Sequence, residues 1–425
     1  MIRLGLVAAS RGLGGAESYL RTLVRAVDRD TFDITLITPA WRPLESFLGL
    51  PGDDGVRHVR VPLAEPGARA RGGDGASAEI GLETPTTFGA RVARTAGPLR
   101  PAVPTAHSLL RLRTLVANRR RLVPVLGDAG LDVLHVNTGG YPGSSAGLAA
   151  VLAAADAGVA GRAMTVHSTA RPRTWLAPAE ERLDRRVSEV VDKVVVLGTA
   201  PAEALARRSF PPTMVEVIPT GIPVPSAVVA ATEARRRLGL DGVHRVVGMI
   251  SSFTPVKQHG VLLEAFAMLR RRVPDAVLVL AGQGPTLEAA RRRAEALGLG
   301  GTVRFPGRVD PFDVLPALDV FVLASGTEGL PLSILEAMSQ GVPVVASAVG
   351  AVPDIVVPGR TGQLVPPGDG PALAAAVEQL LMQPAAARAL GARGRRAFVA
   401  RHTAGAMVDR YQDLWLGLAS QRPDQ

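Results

Sequence analysis

The chain contains no cysteine among its 425 residues. Disulfide bonds and cysteine-ligated zinc are therefore excluded, and a reducing compartment is compatible with the composition. Aromatic residues make up only 4% against 47% hydrophobic residues overall, so the cores must be built from Val, Leu and Ala. Lysine is nearly absent. Of 48 basic residues only Lys193 and Lys257 are lysine, and the rest are arginine. No apolar run reaches the roughly 18 residues that a membrane span needs, and the most apolar stretch, Ala146 to Ala160, is broken by Asp156. The opening "MIRLGLVAAS" runs straight into a Gly-rich turn, without the pattern of a secretory leader. No acid-x-acid metal motif stands at a strand end, since "DRD" at 28 to 30 closes a helix, and no Walker loop, zinc spacing or Gly-x-Ser-x-Gly elbow is present. The expectation is a chain with no metal and no cofactor.

The formal net charge is +10. Arginine, alanine and glycine abundance points to a GC-rich, bacterial genome as one source of that excess. An anionic ligand or an anionic membrane face is the other reading. Nucleic acid is not expected, because no basic stretch carries interleaved aromatics.

What is present is a repeated order of strand, turn and helix, which implies open parallel sheets with helices on both faces. "IRLGLVAA", "FDITLITP", "LDVLHVN", "AMTVHS", "KVVVLG" and "VEVIPTG" read as strands of one half. "HRVVGMIS", "AVLVLAG", "TVRFPG", "VFVLAS", "PVVAS" and "TGQLV" read as strands of another. Helices are expected from "AESYLRTLVRAVDRD", Leu109 to Leu126, Val261 to Arg272 and Thr286 to Leu297. The expected boundaries are a first Rossmann-like domain over 1–219 with a loose insertion at 64–105, a Pro-rich linker over 220–227, and a second domain over 228–402. A last segment, 403–425, is expected to form a helix packing back on the first domain. In such sheets ligands lie beyond the carboxyl ends of the strands, so the cleft between two facing halves is the expected site.

Four stretches could carry chemistry. "SRGLGGAES", 10 to 18, joins a strand to a helix with small residues that let backbone approach a phosphate, or it is simply a tight turn. It lacks the last glycine of the dinucleotide fingerprint, and the following strand ends in "LITPAW" without a ribose-binding acid, which weighs against a nicotinamide oxidoreductase. Lys257, in "SSFTPVKQHG", could neutralise a diphosphate in a chain that uses arginine almost everywhere, or it is a solvated surface lysine. His167 ends a strand and could donate to a sugar or phosphate oxygen, whereas His135 reads mostly as structural.

The fourth stretch is "SGTEGLPLSILEAMSQGVPVVAS", 325 to 347. A continuous helix would place Glu328 and Glu336 about 80° apart and about 12 Å along the axis. Gly329 and Pro331 instead start the helix near Pro331, a residue suited to a first helical position. Glu328 then lies in a loop, Glu336 lies inside the helix, and the free N–H groups between them suit an anion. From spacing alone a helix-dipole acid and a surface acid explain the pair equally well.

Together these residues resemble the retaining glycosyltransferases of family four, the glycogen-synthase-like and mannosyltransferase-like group with the GT-B fold. "EGLPLSILEAMSQGVPVVAS" carries the strongest match, extended by "GAVPDIV" and "GRTGQLVPPGD" and more loosely by "LGGAES", "TVHS", "VIPTGIP", "SFTPVKQHGVLLEAF" and "LAGQGP". The resemblance implies that Glu328 accepts from hydroxyls of the donor sugar, that the backbone from Gly329 to Leu332 holds sugar and phosphate oxygens through the N–H groups of Gly329, Leu330 and Leu332 around Pro331, and that Glu336 binds the ribose. It implies that Lys257 clamps the diphosphate, that Gly14 and Gly15 let the first loop close on it, that His167 contacts the transferring sugar, and that Arg308 and Val309 lie where the nucleobase is read. Two departures stand out. The family's Gly-Arg pair, with its arginine five residues before the lysine, is here Ser251 and Ser252, whose hydroxyls can donate only without charge, so the diphosphate clamp is weaker or another arginine supplies it. Thr220 stands where asparagine is commoner.

The implied activity is metal-independent, retaining transfer of a hexose from a nucleotide diphosphate sugar, expected to be UDP-linked, to an acceptor hydroxyl or amine. The alternatives are a catalytically silent sugar-nucleotide-binding protein and a sugar-nucleotide epimerase. A lipid carrier, a polysaccharide and a small natural product all remain open as acceptor. A cytoplasmic location with peripheral contact at the inner membrane face is expected, through the basic segment Arg91 to Arg121 or not at all if that segment is a solvated helical face.

Overall fold

The computed structural model describes residues 1–9, 15–40, 44, 47–48, 55–65, 102–174, 177–225, 229–240, 242 and 245–421, with side chains of the first long helix described from 110 onward. Gly14 and most of the expected insertion at 64–105 lie outside the described residues.

Two parallel sheets form. The first runs β1 (Ile2–Ala8), β2 (Phe32–Pro39), β3 (Val56–Val61), β4 (Val133–Thr138), β5 (Gly161–Val166), β6 (Lys193–Val196) and β7 (Val215–Val217), in the spatial order β3-β2-β1-β4-β5-β6-β7. The second runs β8 (Arg245–Ile250), β9 (Ala276–Ala281), β10 (Val303–Gly307), β11 (Val320–Leu323), β12 (Val344–Ser347) and β13 (Gln363–Val365), in the order β10-β9-β8-β11-β12-β13. This is the α/β GT-B arrangement. In both sheets the order reverses beside the first strand, between β1 and β4 and between β8 and β11. A crevice opens at such a point because the flanking connections leave to opposite faces.

The central strands are buried on both faces, as parallel strands between helical layers must be. Along β1, Leu4, Leu6 and Ala8 enter one core while Val7 and Ala9 enter the other, the period-2 alternation of a strand. β2 occupies the residues its apolar run marks. β3 is not legible in the same way: "VRHVRV" alternates weakly and stands at a sheet edge, where polar side chains reach water.

The helix Leu332–Ser339 starts one residue later than the sequence reading places it. Pro331 is its N-cap, with ψ at 120°, rather than its first helical residue.

The final helix, Ala404–Ala419, packs against the helix Gly15–Ala26 and against β4 and β5 of the first sheet. Trp415 is fully buried, edge-on to Phe32 at 5.6 Å and to His135 at 5.7 Å, and its indole donates to His135 Nδ1 at 3.0 Å. The chain passes between the halves twice, and the two passages lie against each other. Ile222 N donates to His402 O at 3.0 Å, and Ala404 N to Ile222 O at 2.8 Å. Gly221 is required there, since a Cβ would come within 2.1 Å of Thr403 O.

Trp415→Ala removes the largest side chain joining the last helix to the first half. We expect it to cost about 3–5 kcal/mol, read as a lowered urea midpoint. An unchanged midpoint would mean that the helix contributes nothing to that core.

Candidate functional site

A cavity of about 370 Å3 lies between the halves, walled by Gly15, Ala16, Tyr19, His167, Leu197 and Thr220 from the first, and by Ile250, Ser251, Ser252, Lys257, Glu328 to Ser333 and Glu336 from the second. Each wall segment follows from topology. Gly15 opens the helix after β1, and Ser251 and Glu328 follow β8 and β11 at the second switch point. His167 follows β5.

The walls meet backbone to backbone. A Cβ on Gly329 would stand 2.0 Å from His167 O, and one on Gly350, at φ 55°, would stand 1.9 Å from Glu328 O. Ala351 N donates to Gly329 O at 2.9 Å, which holds the 328–330 loop from behind. At the cleft's margin Asp354 of the second half accepts from Thr199 N at 2.7 Å and Thr199 Oγ1 at 2.8 Å. That carboxylate caps the first-half helix Thr199–Ala206, favourably placed against its dipole.

Lys257 sits at the end of a short 3-10 turn, Pro255–Lys257, and its Nζ donates to Glu328 Oε1 at 2.5 Å. Both side chains are mostly buried. Among the described residues, Lys257 is the only cation in the cavity wall. Beside this pair the helix Leu332–Ser339 presents its N-terminus with no side-chain cap, and Pro331 brings no N–H of its own. Leu332 and Ser333 line the cavity with N–H groups that a helix start leaves without intrahelical partners. The arrangement offers a mobile ammonium and fixed backbone donors to an anion, and a carboxylate to hydroxyls.

Glu336 projects from the next turn of the same helix. Burial, reinforced by the Asp310 charge, pushes its carboxyl up to about 7. Burial also drives the His167 imidazole down to about 3. The His167 tautomer follows from its partners. Ala16 O can only accept, so Asn137 turns its Nδ2 there at 3.0 Å and its Oδ1 toward His167 Nε2 at 2.5 Å. Nε2 therefore carries the proton, and Nδ1 is left as a lone-pair acceptor. His167 is thus a fixed, neutral group rather than a proton donor at Nδ1.

His135 is structural. Trp415 donates to its Nδ1, so its Nε2–H donates to Thr165 Oγ1 at 2.7 Å, and Thr165 in turn bonds the Tyr411 hydroxyl at 2.9 Å. Tyr411 bonds the hydroxyl of Tyr19, whose ring meets His167 edge-on at 4.6 Å.

Lys257, Glu328, His167, Gly15, Ser252, Gly329, Leu330, Pro331, Leu332 and Glu336 are all in one wall. Arg308 and Val309 are not. Their neighbours Asp310 and Phe312 instead line an adjoining cavity of about 690 Å3, which shares Tyr19, Leu332 and Glu336 with the first. Sequence reading missed Tyr19 because a tyrosine on an apolar helix stripe reads as core, and it gave Ser251 only as one of two hydroxyls that can donate without charge.

The profile of glycosyl transferases group 1 matches residues 230–397, and that of Glycosyltransferase Family 4 matches residues 13–224. A GDP-mannose-dependent alpha-(1-6)-phosphatidylinositol monomannoside mannosyltransferase of Mycolicibacterium smegmatis is 30% identical over 404 residues, 90% of this chain and 89% of that protein. Among solved structures, HepE of Anabaena in complex with UDP superposes with a TM-score of 0.70 at 18% identity, over 98% of this chain and 100% of the other. Sucrose-phosphate synthase of Thermosynechococcus elongatus does so with a TM-score of 0.70 at 22% identity, over 99% and 100%. The chain belongs to the family-four-like glycosyltransferases with the GT-B fold.

Glu336 gives a pH test. Its folded pKa, about 7, lies above the ordinary value of 4.5, so the folded state holds the proton more tightly than the unfolded one. Stability is full below the ordinary value and falls as pH rises through about 7. Glu336→Gln should match the wild type near pH 5 and exceed it by about 1–3 kcal/mol near pH 8. Parallel urea curves at both pH values would contradict the burial of this carboxyl.

Proposed function

We propose that the protein is a retaining, metal-independent hexosyltransferase that uses GDP-mannose rather than the UDP-linked sugar expected from the sequence. The observation that carries this reading is the Lys257–Glu328 pair beside an uncapped helix N-terminus, in a cleft that both halves wall. Lys257 and the helix start stabilise charge growing on the leaving diphosphate. Glu328 and the lone pair of His167 accept from sugar hydroxyls, and Glu336 accepts from the ribose. The acceptor attacks from the face that the diphosphate leaves, and the departing phosphate oxygen takes its proton, so no side chain has to act as base. Closure of the halves keeps water from hydrolysing the donor.

Two observations favour guanine. The mannosyltransferase relative is named for GDP-mannose. Beyond Glu336, Asp310 accepts from Phe312 N through Oδ1 at 2.9 Å and keeps Oδ2 for a ligand. Guanine offers two adjacent donors, N1–H and N2–H, to a carboxylate. Uracil offers one N–H flanked by two carbonyl oxygens, which a carboxylate repels.

A lipid acceptor held at an anionic membrane is the reading we favour for the other substrate. The helix Ala102–Ala129 exposes Leu110, Leu112 and Val116, 48%, 55% and 39% accessible, beside Arg113 and Arg120 and with no acid before Asp128. Apolar side chains flanked by arginine suit an anionic interface. No helix of the described residues is long and apolar enough to cross a membrane.

In the purified protein, Glu328→Gln and Lys257→Ala should each lower donor turnover at least about tenfold, and EDTA should leave it unchanged. Near-wild-type rates in both variants, or a strict metal requirement, would defeat the mechanism. Donor binding without hydrolysis or transfer to any acceptor would leave a silent binding protein. Asp310→Ala should reduce the preference for GDP over UDP by about tenfold, measured as the ratio of their Kd values. An unchanged ratio would remove Asp310 from base selection.

A further inference from the structure

We propose that Ser251 binds the donor's diphosphate in place of the arginine this chain lacks, and that His259 is the positioning residue that aims its hydroxyl. This deepens the transferase reading above and rests on it.

Ser251 is the first residue after β8 and stands in the cavity wall with Ser252 and Lys257. Its backbone has no freedom to retreat. Ser251 N donates to Ala281 O at 3.0 Å, and Ser251 O lies where a Cβ on Gly282, at φ 142°, would come within 1.9 Å. Phe253 N to Gln283 O at 2.8 Å and Thr286 N to Phe253 O at 3.0 Å hold the rest of the loop.

His259 opens the helix His259–Arg270 and is 4% exposed. Its ring stacks on Phe253 at 4.0 Å with 9° between the planes, and its Nε2 lies 3.2 Å from Ser251 Oγ. Its Nδ1 is buried with no hydrogen-bond partner. That absence decides the tautomer. A buried N–H without an acceptor is the rarer and costlier orphan, so the proton sits on Nε2 and is donated to Ser251 Oγ. The Ser251 proton then cannot return to the imidazole and is free for a ligand oxygen. Burial and the neighbouring Lys257 charge lower the His259 imidazole to about 4, which keeps the ring neutral. The helix N-terminus opposes an imidazolium as well.

The opposite polarity would make Ser251 a nucleophile activated by histidine. It would leave Nδ1–H buried and unpaired, where a nucleophilic triad places a carboxylate. The pair is therefore built to donate. A hydroxyl fixed in advance toward an anion supplies a charge-assisted bond without adding a second cation.

The test is calorimetric titration of the full-length protein with GDP, UDP and guanosine. Ser251→Ala should weaken GDP about tenfold or more and leave guanosine unchanged. His259→Phe should lose a similar factor, and His259→Gln, whose amide can donate from the Nε2 position, should keep most of the affinity. The double variant Ser251→Ala/His259→Phe should bind no more weakly than Ser251→Ala alone. GDP affinity within twofold of wild type in Ser251→Ala would overturn the proposal, as would losses that simply multiply in the double variant. If His259→Phe fails to fold, Ser251→Ala on GDP against guanosine decides the matter with His259→Gln as the control. Wild-type protein that binds neither GDP nor UDP would overturn the transferase reading and this proposal together, whereas wild-type binding with an indifferent Ser251→Ala sinks this proposal alone.

Discussion

The site depends on one close approach, that of the Gly329 Cα to the His167 carbonyl across the cleft. A Cβ at residue 329 would stand 2.0 Å from that oxygen, so one of the two loops would have to shift. With glycine there, the loop carrying Glu328 reaches the end of β5, and the uncapped start of the helix Leu332–Ser339 becomes part of a wall shared with Gly15, Tyr19 and His167. Gly350 makes the matching approach behind Glu328. The loop is thus a sheet of backbone pressed between two others, and its polar groups are aimed by packing more than by side-chain bonds. Groups fixed in this way need no reorganisation when charge develops on a ligand, which is the condition under which dipoles are most effective.

Charge in the cleft is sparse. Lys257 stands against Glu328, while Glu336 and Asp310 add acid toward the adjoining cavity. Among the described residues, a diphosphate entering the first cavity would meet one ammonium and a set of neutral donors, while Arg21 and Arg25 stand in the wall of the adjoining one. An ammonium on a flexible stem can exchange a carboxylate for a phosphate, which a guanidinium locked in a planar bidentate pair does less readily. That contrast gives a physical sense to the single lysine in a wall of a chain otherwise built on arginine.

Much of this was legible in the sequence, and the parts that were not share a cause. β2 was readable because its apolar run is local. Glu328 and Glu336 were separable because Gly329 and Pro331 forbid a continuous helix, although the cap fell on Pro331 itself. Lys257 stood out by composition. By contrast Tyr19 is distant along the chain from Tyr411 and Trp415, and only the fold brings it to them. His259 was invisible as a partner of Ser251 because its role depends on the 3-10 turn and the left-handed Gln258 (φ 49°) between them. Arg308 and Val309 were placed by family position, whereas the cavity wall begins at Asp310, where the turn Pro311–Val314 swings the chain inward. Local periodicity specifies elements, and residues that act through long-range partners need the topology.

The last helix shows how far that long-range order extends. An indole N–H can only donate, so Trp415 fixes the polarity of His135, and His135 fixes that of Thr165. The Thr165 proton is then available to Tyr411, which also accepts from the Tyr19 hydroxyl beside the His167 ring. A second chain runs from Ala16 O through Asn137 to the other side of the same ring. His167 is therefore held from two directions, one of which begins in a segment that follows the whole second half in sequence. Because the helix Ala404–Ala419 is part of the first half's core, relative motion of the halves must be absorbed where the chain crosses, at residues 220–222 and 402–404. There backbone bonds around Gly221 are joined by His402 Nδ1, which donates to Thr220 O at 3.1 Å, and by the buried side chain of Ile222. Opening the cleft would give up the Asp354–Thr199 cap and the Gly329–His167 contact while leaving both histidine networks intact. The first-half wall is thus held by its own networks, independently of the contacts that join it to the charged wall.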